Sequence, residues 1–152
     1  MSLDSVRAFL KAFAPDLSAM ETGGSSSTVD LAAEAFGVEP AQIAKTICLR
    51  VGDQVILIVT SGTTRLDNRK FRNVFGGKAR MLATDEVERI TSHPVGGVCP
   101  FGLPTPLPIY CDVSLRRFNE VVPAAGSTNS AVRIETDRLA VITNAEWVDV
   151  CS

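Results

Sequence analysis

Leu3, Val6, Phe9, Leu10 and Phe13 recur at helical spacing and Pro15 ends the series, which predicts an amphipathic opening helix. Gly23-Gly24-Ser25-Ser26-Ser27 reads as a flexible loop. Thr28 suits the N-cap of a helix through Ala35 that Gly37 terminates, and Pro40 suits the first turn of a short helix ending near Ala44. The period then changes. Lys45–Val51 and Val55–Ser61 are strand-like runs separated by Gly52-Asp53-Gln54, a predicted hairpin. Residues 67 to 75 look helical and stop at Gly76-Gly77; Ala79–Ala83 suits a short strand, and Thr84 a cap for a helix to about Thr91.

Residues 92 to 108, SHPVGGVCPFGLPTPLP, form a long Gly- and Pro-rich loop, a kind often tied to function. Beyond it the pattern predicts a strand at Ile109–Val113, a helical turn at 114–118, and strands near 120–123 and 131–135. A helix over 137–143 capped by Thr136 and a last strand at Glu146–Val150 complete the series. Strands mixed with helices, hairpins among them, imply an α/β (α+β) fold with a mixed sheet, in one domain over residues 1–152.

Composition adds limits. The 152 residues are 45% apolar and 21% charged, ordinary for a globular chain. The longest apolar run, Val55 to Val59, is strand-sized, so no membrane partner is expected, and the N-terminal segment does not resemble a secretory signal. Cys48, Cys99, Cys111 and Cys151 form no CxxC pair and His93 is the single histidine, so neither a metal nor a cofactor is expected. Reduced thiols fit a cytoplasmic protein. A formal net charge of −2 argues against coating nucleic acid, DNA included, but permits a local grip on a nucleic-acid end.

Lys45 is the most informative position. Alternation puts Lys45, Ile47, Leu49 and Val51 on one side of a strand, a lysine in line with three aliphatics. An ammonium there either reaches water from the strand's end or points into a cavity holding an anion or carbonyl. Gly96, Gly97 and Gly102 allow the loop Val95–Gly102 to bring its backbone close to a ligand, or simply to turn at the surface. Arg65, Arg69, Lys70, Arg72, Lys78 and Arg80 form a basic run broken by one acid, Asp67: a solvated face or a phosphate contact. Cys99 and His93 are a conceivable thiol nucleophile and base with no evident orienting carboxylate.

Ala44-Lys45-Thr46 leading into a strand, the loop GGVCPFG at 96–102, and Ala125-Gly126-Ser127 before a strand occur in that order and at familiar separations. In these pieces the chain resembles the YbaK-like aminoacyl-tRNA deacylases, related to the editing domain inserted in bacterial prolyl-tRNA synthetases, over about residues 1 to 150. The resemblance implies a mixed sheet curved toward a barrel and flanked by helices. It implies hydrolysis of the ester between a tRNA 3′ end and a wrong amino acid, by water positioned with help from the neighbouring ribose hydroxyl. Lys45 matches the family lysine that holds the terminal nucleotide or ester. Gly96 and Pro100, with Gly97 between them, match the GxxxP loop that orients the carbonyl; Gly126, Ser127 and Ile47 would border the substrate. The implied partners are the 3′ acceptor end of an aminoacyl-tRNA, with tRNA-Pro carrying alanine, cysteine or another small residue expected, and prolyl-tRNA synthetase as a docking candidate. The segment AAGSTNS is less basic than its counterpart in the cysteine-clearing branch. Arg69, Lys70 and Arg72 are candidate phosphate contacts. The alternatives are a non-catalytic module that binds a tRNA end or a synthetase, and a hydrolase that uses Cys99.

Overall fold

The computed structural model describes residues 2–152. In chain order the elements are α1 (Ser2–Phe13), β1 (Met20–Glu21), α2 (Val29–Phe36), a 3-10 turn (Pro40–Gln42), β2 (Ile43–Val51), β3 (Gln54–Ser61), α3 (Asn68–Phe75), β4 (Arg80–Met81) and α4 (Thr84–Thr91). They continue with β5 (Ile109–Asp112), a 3-10 turn (Val113–Arg117), β6 (Glu120–Pro123), β7 (Ser130–Ala131), β8 (Ile134–Glu135), α5 (Thr136–Thr143) and β9 (Glu146–Val148). The result is the mixed α/β unit expected, a curved sheet with five helices against it.

β2 and β3 are the centre of the sheet, whose order is β8-β6-β2-β3-β5-β9, with β4 also on β2. The hairpin pairs Ala44 with Ser61 through to Val51 with Gln54, which leaves a two-residue turn, Gly52-Asp53. Gly52 takes φ +59°, the positive value a type II′ turn places at its first central residue. β3 runs parallel to β5 and β5 parallel to β9, while β6 is parallel to β2 and antiparallel to β8.

One sheet face packs on α1 and α5 through Val6, Leu10, Val59, Leu115 and Leu139, all buried. On the opposite face Leu49, Ile56 and Ile58 meet Phe71 of α3. Ile47 and Val51 pack into the same cluster, so the aliphatic row beginning at Lys45 lies on one side as alternation requires. α2 covers Ile43 and Val122, and α4 covers Cys48 and Leu57 with Val87.

The expected Thr28 cap and glycine stops are present, and Asp67, expected inside its helix, is instead the cap. Thr28 Oγ1 accepts from Leu31 N at 3.2 Å, Asp67 Oδ1 accepts from Arg69 N and Lys70 N, and Gly37 and Gly76 end their helices at positive φ. Two expected caps are displaced by one residue: Thr84 and Thr136 are the first residues of α4 and α5, not their caps. For Thr136 the reason is tertiary, because its buried hydroxyl donates to Phe118 O at 2.5 Å. The strand expected at 131–135 is two strands with different partners: β7 pairs β1, while β8 pairs β6. Only Arg80–Met81 of the predicted 79–83 strand is paired. β9 ends at Val148, after which Val150 N donates to Asp112 Oδ1 at 2.8 Å.

Candidate functional site

β2 begins two residues before Lys45, at Ile43, and this decides what the lysine faces. From Ala44 to Val51 β2 pairs with β3. On its other edge it pairs with β6 at Ile43–Ala44 and with β4 at Leu49–Arg50. Between these short ladders, residues 45 to 48 have β3 as their sole strand partner among the described residues. A cavity of about 390 Å³ opens at this gap. Lys45, Thr46, Ile47 and Cys48 all border it, although consecutive strand residues point to opposite faces. Four in a row can do so because the cavity abuts the strand's edge.

The remaining walls come from far along the chain. The serine loop and start of α2 contribute Ser26, Ser27, Thr28, Val29 and Ala32; Met81, Leu82, Thr84 and Val87 enter from β4 and α4. Val95, Gly96 and Val98 come from the glycine loop, and Val122, Ala124, Ser130 and Ala131 from β6 and β7. The lining is mainly aliphatic and small. Lys45 is its one charged side chain.

The Lys45 ammonium neither dangles in solvent nor lacks partners. Nζ donates to Thr64 O at 2.5 Å and to Gly62 O at 3.3 Å, two carbonyls of the turn after β3. Burial pulls its pKa below the ordinary lysine range, and nearby Arg65 acts in the same direction. Close approach of that turn depends on Gly62: a Cβ there would lie 2.3 Å from Pro40 O and 2.7 Å from Val29 Cγ1.

The glycine loop is packed backbone to backbone. Gly96 takes φ +93° and presses on Ser27, where an added Cβ would approach Ser27 Cβ to 2.8 Å. A Cβ on Gly97 would meet the Ser127 backbone at 2.7–2.8 Å, and Gly126 N donates to Gly97 O at 3.0 Å. Thus Gly97, Gly126 and Ser127 stand together behind the cavity wall, with Ser130 and Ala124 at the surface instead. Pro100 is buried and also lies behind the wall. Gly97 N donates to Pro94 O at 2.8 Å, so this amide is already engaged within the loop.

His93 and Cys99 do come together, but in the core. Cys99 Sγ lies 3.5 Å from His93 Nε2, and both residues are fully buried and absent from the cavity wall. His93 Nε2 is 2.7 Å from Phe101 O and Nδ1 is 2.9 Å from Ser2 Oγ, and burial lowers the pKa of the ring. A neutral ring in this setting carries its proton on Nε2, inferred from the carbonyl partner. That nitrogen has no lone pair left for a thiol proton. Burial also pushes the Cys99 thiol up to about 12. The pair ties the glycine loop to the start of α1.

Arg69, Lys70 and Arg72 lie on α3, outside the cavity wall. Lys70 Nζ is held by Asp149 Oδ1 at 3.1 Å and Cys151 O at 2.8 Å, whereas Arg69 and Arg72 are exposed. No helix among the described residues is long and apolar enough to cross a membrane. The sequence marks the serine loop only as a flexible segment before the Thr28 cap, and nothing local sets Gly62 apart.

Residues 24–142 match the aminoacyl-tRNA editing domain family. The chain is 47% identical to the uncharacterized protein YwhH of Bacillus subtilis over 153 residues, covering 99% of this chain and 98% of that protein. It is 31% identical to a proline–tRNA ligase of Shouchella clausii over 104 residues, which is 68% of this chain and 18% of the ligase. Among solved structures, one described as a candidate trans-editing enzyme for prolyl tRNA synthetase superposes with TM-score 0.92 at 32% identity, covering 99% of this chain and 97% of that one. The hypothetical protein APE2540 superposes with TM-score 0.89 at 27% identity, covering 97% of this chain and 99% of its own.

Proposed function

The chain belongs to the aminoacyl-tRNA editing domain family, and from that premise we propose that it acts in trans, in the cytoplasm, as a deacylase of mischarged tRNA. The observation that carries the reading is the cavity at the unpaired edge of β2, which Lys45 and Gly96 both line within a wall of mainly small and aliphatic residues. Its size and lining suit a small amino acid on a ribose. Likeness to proline–tRNA ligases, of which the Shouchella clausii match spans 18%, supports tRNA-Pro carrying alanine, cysteine or another small residue as substrate, with the synthetase as a docking candidate.

The chemistry follows from what the wall contains. It has no carboxylate and no imidazole, and its one thiol, Cys48, is pushed above the ordinary cysteine range by burial. An aminoacyl ester is already activated, so a held water and a stabilised oxyanion suffice. In this reading the Lys45 ammonium, held by two carbonyls with a third N–H remaining, meets the terminal nucleotide or the ester. The oxyanion donors are backbone amides of the glycine loop at Gly96 and Val98, since that of Gly97 is engaged. Gly97, Pro100, Gly126 and Ser127 position that loop, and Ile47 borders the acyl group. Arg69 and Arg72 serve the acceptor-stem phosphates, joined by Arg65, which follows Thr64 directly.

Purified protein incubated with tRNA-Pro charged separately with alanine, cysteine, serine and proline tests this. One noncognate ester should disappear faster than in buffer, and Lys45→Ala should abolish the difference. Wild-type protein that cleaves none of them yet binds the charged tRNA would instead make it a non-catalytic tRNA-end module.

A further inference from the structure

Among the polar side chains on the cavity wall, nearly all are engaged within the protein. Lys45 donates to Gly62 O and Thr64 O. Ser26 Oγ donates to Thr128 O at 3.2 Å, and Ser27 Oγ accepts from Ser25 Oγ at 2.9 Å. Thr28 Oγ1 caps α2, and Ser130 Oγ bonds Ser127 Oγ. Thr84 is exposed and meets water. Thr46 differs from all of these: its Oγ1 is buried and has no hydrogen-bond partner within the protein.

Resting on the deacylase reading, we propose that the Thr46 hydroxyl is a substrate-contacting group that hydrogen-bonds the polar end of the aminoacyl moiety. The strand geometry puts it in place. Thr46 pairs in register with Val59 of β3 and follows Lys45 directly, so the two side chains leave β2 on opposite faces beside one edge. Both residues border the cavity, and Thr46 Oγ1, which is shielded from solvent as it stands, would meet a ligand seated at the gap between β6 and β4 on rotation about χ1. A buried hydroxyl without a partner is costly to the folded state, whereas valine has the same shape without the polar group. Ala44, Val122 and Ala131 in the same wall show that aliphatic side chains are accommodated in this lining. Retaining an orphaned hydroxyl in such a wall makes physical sense where a ligand completes its hydrogen bonding, since a site built to bond a polar group discriminates strongly in its favour.

The test compares Thr46→Val and Thr46→Ser with wild type in three readouts: melting temperature without ligand, kcat/KM on the most rapidly cleaved aminoacyl-tRNA, and binding of the non-hydrolysable 3′-amide of alanine on adenosine. The proposal expects Thr46→Val to melt at or above the wild-type temperature, with kcat/KM and amide affinity each reduced about tenfold or more and recovered in Thr46→Ser. Undiminished kcat/KM and affinity in Thr46→Val overturn it. So does a Thr46→Val protein whose melting temperature falls together with its activity and whose Ser counterpart restores both, because the hydroxyl then serves the fold. Wild type that binds the amide without cleaving any ester removes the hydrolytic reading alone, and the affinity comparison still decides on Thr46. Wild type that neither binds nor cleaves overturns both.

Discussion

Lys45 shows how one residue's chemistry is set by its neighbours in space. In a strand with Ile47, Leu49 and Val51 on the same side, its ammonium could have snorkelled to water. Two carbonyls of the turn at Gly62–Thr64 take it instead, and burial lowers its pKa. Cys99 illustrates the reverse. Its proximity to His93 in sequence suggested a nucleophile, and the fold brings the pair within 3.5 Å, yet the thiol is buried and the imidazole nitrogen it faces bonds the Phe101 carbonyl. Cys99→Ala should therefore retain the deacylase turnover of wild type to within a few-fold, measured on the same charged tRNA. A loss of several orders of magnitude would bring the thiol mechanism back.

At the level of elements, the glycine loop and the segment around Gly126 form one unit. Gly97 lies against the Ser127 backbone, Gly126 N donates to Gly97 O, and Gly126 itself lies where a Cβ would come within 2.8 Å of Ser2 O at the start of α1. Three parts of the chain thus meet largely backbone to backbone, with the Ser2 hydroxyl donating to Gly126 O. A methyl at Gly97 must separate two backbones, which is overpacking that costs about 1–3 kcal/mol. Gly97→Ala is expected to lower the melting temperature by roughly 2–12 °C and to reduce turnover more than a matched change on α3, because the displaced loop carries Gly96 and Val98 on the cavity wall. A thermal melt and a turnover assay on the same preparation check both halves.

Taken as a whole molecule, the protein keeps all four thiols free and buried, and this gives it an alkaline limit. Burial pushes Cys99 and Cys111 up to about 12 and Cys151 up to about 11, from an ordinary value of 9.0. Above the ordinary value the unfolded chain has released these protons while the folded chain still holds them. The stabilisation is therefore complete below that value and is lost as pH rises toward the folded ones. Urea midpoints should fall between about pH 9 and about pH 11, less steeply in Cys99→Ala. Much of this architecture was legible locally. The helical spacing of Val6 and Leu10, the cap at Thr28, the glycine stops and the alternation in β2 and β3 are determined by neighbours within a turn or a pleat, which sequence contains directly. The family resemblance rested on segments at Lys45, Gly96 and Gly126, and it named residues that the fold then divided between the cavity wall and its backing. What only the tertiary structure decided is which strands flank β2. β6 and β4 each pair with two of its residues and leave 45 to 48 open, and neither pairing is marked by any local period. The cavity, the engagement of Lys45 with a turn seventeen and nineteen residues away, and the solitary hydroxyl of Thr46 all follow from that gap. They depend on contacts between segments far apart along the chain, and pairing of that kind is written in packing and register, not in the neighbours of any one residue.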